Sequence, residues 1–258
     1  MQLIAVDIGN TAIKVVVQTD ATHGRWCDQY VYRNTEPIQL DLPAEAAFWS
    51  VCSVNRSSFE RLKRWILTHR PADKIHLISD ADITIRTSVE QRARVGCDRL
   101  IGAWMALKMC DGKGPLVVVD AGTAVTIDRV NEMGVFEGGL IFPGATVSLH
   151  QLSEMADALP DLSSPDALAK IGNFERMDLG YDTEQAMLLG VYKSQLATIT
   201  SQVEGLAHSF DRECQVYVTG GGIMALEKHL PRNWKVVPDL VLRGVRAIGS
   251  ELLGTVSS

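Results

Sequence analysis

The chain has 258 residues, 46% hydrophobic and 22% charged, with only 9 prolines, a composition that excludes a disordered protein and suits one large or two small globular domains. A net charge of −6 with scattered basic residues argues against a nucleic-acid partner, and the modest cluster of Arg56, Arg61, Lys63, Arg64 and Arg70 reads as a solvated helix face. No run approaches the ~18 apolar residues of a membrane span and no basic segment precedes the first strand, so a cytoplasmic protein without a signal peptide is expected.

In chain order, Leu3–Val15, LIAVDIGNTAIKV, predicts a strand, a tight turn and a second strand. Gly24–Arg33 continues as a strand after a Thr22-His23-Gly24 hairpin, giving an antiparallel meander. Ala46–Val54 is a buried strand, and Ser57–His69 has helical spacing of Phe59, Leu62 and Ile66. Short strands are expected at Ile75–Ile78 and Ile83–Thr87. Arg94–Leu107, RVGCDRLIGAWMAL, puts Leu100, Ala103, Trp104 and Leu107 on one helical stripe, with Asp98 and Arg99 in or near the first turn. There the helix dipole stabilises an ionised Asp98 and Arg99 can reach a carboxylate, or Asp98 is simply an N-cap followed by a surface Arg. Asp111–Pro115 is the clearest linker and divides the chain at 1–114 and 115–258.

Leu116–Thr126, LVVVDAGTAVT, repeats the opening stretch almost residue for residue. Asn131–Gly134 is a turn, and Gly138–Gly144, GGLIFPG, reads as an exposed loop able to lie against a ligand or as a plain connector into a helix at Ala145–Ala158. Pro160–Gly180 is irregular. Asp182–Ser209 is the longest helix, its inner face drawn from Ala186, Leu189, Leu196, Ile199, Val203 and Leu206. Gln215–Gly222, QVYVTGGG, is a strand opening through three glycines into a helix, a nucleotide contact or a turn. A last helix through Leu253 crosses back to the first domain.

The two repeats carry the chemistry. Each ends a buried strand on an aspartate, Asp7 or Asp120, and follows it with a Gly whose missing Cβ lets the turn backbone approach a ligand. Asn10, Thr11 and Thr123 then offer amide and hydroxyl groups. One such corner is as readily a hairpin; two, half a chain apart, make a phosphate and metal site. The five cysteines, at 27, 52, 97, 110 and 214, have no metal-like spacing and are expected as reduced thiols, and the six histidines form no helical pair of the zinc kind.

A duplicated strand-turn-strand with an acidic corner resembles the actin, sugar-kinase and Hsp70 superfamily. Within it the chain resembles the type III pantothenate kinases nearly end to end: DIGNT at Asp7–Thr11, VGCDR at Val95–Arg99, DAGTAVT at Asp120–Thr126, GGLIFPG, and TEQAMLLG from Thr183 to Gly190. The resemblance implies an α/β chain of two duplicated actin-like ATPase (ribonuclease H-like) domains, mixed sheets flanked by helices. It also implies an ATP-dependent enzyme that phosphorylates pantothenate at the first step of coenzyme A biosynthesis, using Mg²⁺ and a monovalent cation, K⁺ or NH₄⁺. By the same resemblance Asp98 is the general base, and Gly96, Cys97, Asp98, Arg99 and Thr183 are near pantothenate. Asp7, Ile8, Gly9, Asn10, Thr11, Ala12, Ile13, Lys14 and Thr123 surround ATP, and Asp120 holds the monovalent cation.

Three departures bear on the substrate pocket: Val89-Glu90-Gln91-Arg92 stands where the family carries a Tyr and an Asn-Pro pair, Cys97 where it carries Ala, and Gly102 where many members carry Asn. Members are homodimers whose pocket the neighbour completes. Leu149, Leu152, Met155, Met187, Leu188 and Val191, beside the inner stripes of their helices, are the expected interface. The alternatives are an accessory regulator of transcription and a kinase for another small hydroxyl compound.

Overall fold

The computed structural model describes residues 2–20, 25–42, 44–170 and 178–256. The chain divides into two compact units, Met1–Lys108 with Asp239–Ser258, and Met109–Pro238.

The first unit opens with β1 (Gln2–Ile8), β2 (Ala12–Asp20) and β3 (Arg25–Arg33), an antiparallel meander. Then come β4 (Ala47–Ser53), α1 (Arg56–His69), β5 (Lys74–Leu77), β6 (Arg86–Thr87) and α2 (Cys97–Met109). The sheet order is β3-β2-β1-β4-β5, with β1 parallel to β4 and β4 to β5. Leu3–Val6 is buried throughout, as a central strand covered on both faces must be. Asn55 caps α1 by accepting from the Ser58 N–H at 3.0 Å, which starts the helix where Leu62 and Ile66 can face the core. The expected strand at Ile83–Thr87 shrinks to β6, because Asp80–Asp82 forms a 3-10 turn just before it. The Thr22-His23-Gly24 hairpin lies outside the described residues.

The second unit repeats the plan. β7 (Leu116–Ala121), β8 (Ala124–Val130) and β9 (Val135–Pro143) form a meander, followed by α3 (Ala145–Met155), α4 (Pro165–Ala169), α5 (Thr183–His208), β10 (Gln215–Thr219), α6 (Ile223–Leu226) and β11 (Lys235–Val236). β10 pairs parallel with both β7 and β11. From meander outward the order is β9-β8-β7-β10-β11, the same as in the first unit.

Three sequence expectations are corrected here. Gly138–Pro143 is not a loop: its backbone runs in register with β8, Gly138 opposite Arg129 through Pro143 opposite Ala124. Leu149, Met187, Leu188 and Val191 are not surplus surface either, since all four are buried in this unit's core; only Leu152 and Met155 of the expected interface are exposed. Of the expected inner face of α5, Ala186 is exposed and Leu196 and Leu206 are half-buried, because Leu188, Val191, Tyr192 and Gln195 turn inward instead. Part of the irregular 160–180 segment, residues 171–177, lies outside the described residues.

The chain closes with α7 (Leu240–Val256), which packs on β1 and β4 of the first unit. Buried Ser50 donates to the Val245 carbonyl at 3.1 Å and fixes the contact. The second unit therefore ends at Pro238 rather than at the C-terminus, and the division falls at Lys108–Met109 rather than in the Asp111–Pro115 linker.

Candidate active site

In the first unit β1 delivers Asp7 one residue before its end, opposite Lys14 of β2. The turn between them, Gly9–Thr11, closes with the Gly9 N–H on the Ala12 carbonyl at 3.0 Å. Asn10 and Thr11 are exposed, while Asp7, Gly9 and Lys14 are half-buried and Ile8 and Ile13 belong to the core. A Cβ built on Gly9 would meet only the Ala12 oxygen, at an ordinary 3.7 Å. Nothing within the fold demands glycine there, so its bareness serves whatever approaches from outside.

Asp98 comes to the same place from α2. It is the second residue of the helix rather than its cap, and its Oδ1 accepts from the Arg99 N–H at 2.8 Å. A Cβ on Gly96 would lie 2.4 Å from that oxygen, so the carboxylate rests on the bare face of Gly96. Burial raises the Asp98 pKa, against the pull of the Arg99 N–H and guanidinium. Burial likewise pushes Asp7 up to about 6, lowered by Lys14 and raised further by the charge of Asp98. Two carboxylates that share a partly dry pocket hold protons at higher pH than usual, which is the condition a general base near neutrality needs. Cys97 turns its thiol away onto Cys52 of β4, with the Sγ atoms 2.7 Å apart.

In the second unit Asp120 also stands one residue before the end of its strand, here opposite Thr126. The Gly122-Thr123 turn closes with the Gly122 N–H on Ala124 O at 3.1 Å. Backbone packs hard around it. Gly144 donates to Thr123 O at 2.9 Å and Gly222 to Ala121 O at 2.8 Å. Gly220, at φ 99°, lies so close that a Cβ would be 2.4 Å from Asp120 Oδ1 and 2.6 Å from the Ala121 carbonyl carbon. The triple glycine after β10 thus cradles the Asp120 corner. Thr183 is exposed in the first turn of α5, beside the Asp182 cap that accepts from Gln185 N–H at 2.8 Å.

Sequence reasoning missed Asn34. Its Nδ2 donates to the carbonyls of Gly9 at 3.0 Å and Asn10 at 2.7 Å, and its N–H donates to Thr11 O at 2.9 Å. These bonds tie the carbonyls of all three turn residues to Asn34. An Asn just past a strand looks like any turn former, so no local signal marks it.

Among the described residues no three His, Cys, Asp or Glu side chains come together to hold a metal ion, and no helix is long and apolar enough to cross a membrane. Single carboxylates among backbone oxygens fit a hard cation that arrives with phosphate and keeps its waters, not an all-protein cage.

The same architecture occurs in solved structures. A Campylobacter jejuni protein described as a conserved Baf family transcriptional activator matches with a TM-score of 0.60 at 19% identity, over 97% of this chain and 99% of that one. The apo psk41 ParM protein matches at 0.54 and 12%, over 100% and 99%, and EutJ of Carboxydothermus hydrogenoformans at 0.50 and 15%, over 96% and 88%. At such identities the likeness shows the fold alone, and it makes the chain an actin-like α/β protein of two duplicated units. The family model for type III pantothenate kinase matches residues 3–205. Relatives bearing that name include those of Rhodopirellula baltica, 32% identical over 95% of this chain and 97% of the relative, and Caulobacter vibrioides, 28% over 96% and 97%. The chain belongs to the type III pantothenate kinase family.

Proposed function

We propose that the chain transfers the γ-phosphoryl group of ATP to the primary hydroxyl of pantothenate, the first step of coenzyme A biosynthesis, with Asp98 as the general base. The family match over residues 3–205 carries the reaction, and the Asp98 carboxylate seated on Gly96 at the head of α2 supports the residue. Phosphoryl transfer asks little covalent chemistry of a protein: it needs the donor and acceptor positioned and the developing charge met. Asp98, with its raised pKa, accepts the hydroxyl proton. Arg99 and Gly96, with Thr183, hold pantothenate; the carboxylate of the substrate suits the Arg99 guanidinium. The Gly9–Thr11 turn, with Asp7, Lys14 and Thr123, holds ATP. Mg²⁺ bound to the triphosphate would neutralise phosphate charge, and Asp120 is assigned to K⁺ or NH₄⁺, its carboxylate supplying an anionic oxygen of the kind such a cation takes.

The enzyme is read as a cytoplasmic homodimer with no nucleic-acid or membrane partner. The interface keeps Leu152 and Met155 of the residues first expected and adds other apolar side chains that the second unit leaves exposed, among them Ile141, Leu179 and Tyr181, the last 87% exposed. Ile141→Glu with Met155→Glu should split the dimer without touching the core, as judged by sedimentation.

The test of the reaction is ADP release with pantothenate and no other protein present. Asp98→Asn should lower kcat by ~10²–10⁴-fold, the usual worth of a general base, with ATP affinity and melting temperature kept. A variant retaining a tenth of the parent rate sinks the assignment of Asp98. Replacement of K⁺ by a bulky organic cation should depress the rate of the parent but not the residual rate of Asp120→Ala.

A further inference from the structure

Cys52 has no part in the reaction above, yet it is built against the site. It is the last residue but one of β4, fully buried, and its backbone pairs with Asp7 in the β1–β4 register. Its Sγ lies 2.7 Å from that of Cys97, the first residue of α2, and Cys97 Sγ also lies 3.6 Å from the Ser53 carbonyl. Both are free thiols. The two are 45 residues apart in sequence, so a bond between them would tie the end of a central strand to the residue just before Asp98.

We infer that Cys52 and Cys97 form a reactive dithiol, which low-molecular-weight aliphatic disulfides oxidise to an internal disulfide that switches the kinase off. Cys97 is the entry point, because it is half-buried while Cys52 is closed off from solvent. The hydrogen bond from Cys52 also holds the Cys97 thiol below the ordinary thiol range, whereas the same bond and burial hold Cys52 well above it. The Cys97 thiolate attacks one sulfur of the external disulfide, RSSR, and expels RS⁻, leaving a mixed disulfide on Cys97. Cys52 then attacks Cys97 Sγ and passes its proton to the second RS⁻ as that group is expelled, so it leaves as RSH. Two cysteine thiols are oxidised to one S–S bond, and RSSR is reduced to two RSH.

The consequence for the rate follows from distance. A disulfide needs its sulfurs at ~2.0 Å, so closing the bond draws the head of α2 toward β4. Asp98 is the next residue, and a misplacement of ~1 Å at a reacting group costs about 10²-fold. The bond itself does not depend on the role assigned to Asp98; only the loss of rate does.

The experiment treats the full chain with 2-hydroxyethyl disulfide, removes the reagent, and reads intact mass, a peptide map and ADP release. The expected result is a loss of two hydrogens in mass, a cross-linked peptide joining Cys52 and Cys97, and a rate at least ~tenfold lower, restored by dithiothreitol. Reduced Cys52→Ala should run at the parent rate and, after treatment, carry half of the reagent on Cys97. Cys52→Ser serves if the Ala variant does not fold. A parent protein that keeps both thiols, or stops at the mixed disulfide, overturns the dithiol. A fully formed Cys52–Cys97 bond with an unchanged rate overturns the switch, and if Asp98→Asn is also fully active, the fault lies with the base assignment.

Discussion

The two acidic turns share a backbone plan and differ in what surrounds it. Asp7 and Asp120 each sit one residue before the strand ends, but the first turn spans three residues and the second two. Lys14 faces the first aspartate and Thr126 the second. The first turn is held from outside by the side chain of Asn34, and a second carboxylate, Asp98, raises the charge around it. The second is pressed by backbone, from Gly144, Gly220 and Gly222. Duplication kept the backbone hydrogen bond that closes each turn and left the surroundings free to diverge. One copy became an electrostatic device and the other a close-packed one.

By that contrast, glycine means different things in the two turns. Gly220→Ala should be the most damaging change: the residue needs a positive φ, and its new Cβ would overlap Asp120 and the Ala121 backbone. A loss of ~2–3 kcal/mol is expected in urea unfolding, with activity gone. Gly9→Ala should leave stability within about 0.5 kcal/mol, because its Cβ finds room, yet raise the KM for ATP about tenfold or more. Equal stability losses at the two positions would erase the distinction.

Asn34 asks the next question, whether the first turn is set by its clamp. Asn34→Ala removes two side-chain bonds to the Gly9 and Asn10 carbonyls and should cost ~1–2 kcal/mol. More telling is the kinetic split: KM for ATP should rise while KM for pantothenate holds, since the Asp98 corner is built separately. A uniform rise in both would make Asn34 merely structural.

What the sequence could reveal follows the same division. The paired strand-turn-strand units were legible because an apolar run, an Asp and a Gly are local signals, and the place of Asp98 in the first turn of a helix was legible because Gly96 precedes a clear helical stripe. GGLIFPG misled because glycine and proline announce a loop, whereas β8 supplies hydrogen-bond partners for the whole stretch and makes it a strand. Met187, Leu188 and Val191 misled in the other direction. The sequence spacing marks a single stripe on α5, but the N-terminal half of that helix is buried more broadly than one stripe allows. Asn34 and Cys52 were out of reach because each acts through contacts with residues far along the chain, and neither leaves a periodic or compositional mark.

The smallest effect concerns the charge of the first turn. Burial holds Asp7 at about 6, well above the ordinary carboxylate value. Between pH 4 and 6, as a rough window, the folded chain therefore keeps a proton that the unfolded chain has released. Stability falls as pH rises through that window, and the deficit persists above it. Asp7→Asn abolishes the titration, so the variant should match its parent near pH 4 and be the more stable of the two at pH 7. Asp7 is only half-buried, and solvent screening limits the gain to about 1 kcal/mol. Turnover should be lost all the same, because the Asp7 carboxylate is proposed to serve the bound nucleotide. Unfolding curves at pH 4, 5, 6 and 7 check the sign. A variant less stable at pH 7, or an offset that does not change with pH, would mean that the Asp7 carboxylate is held by a favourable partner and that the first turn carries no electrostatic strain.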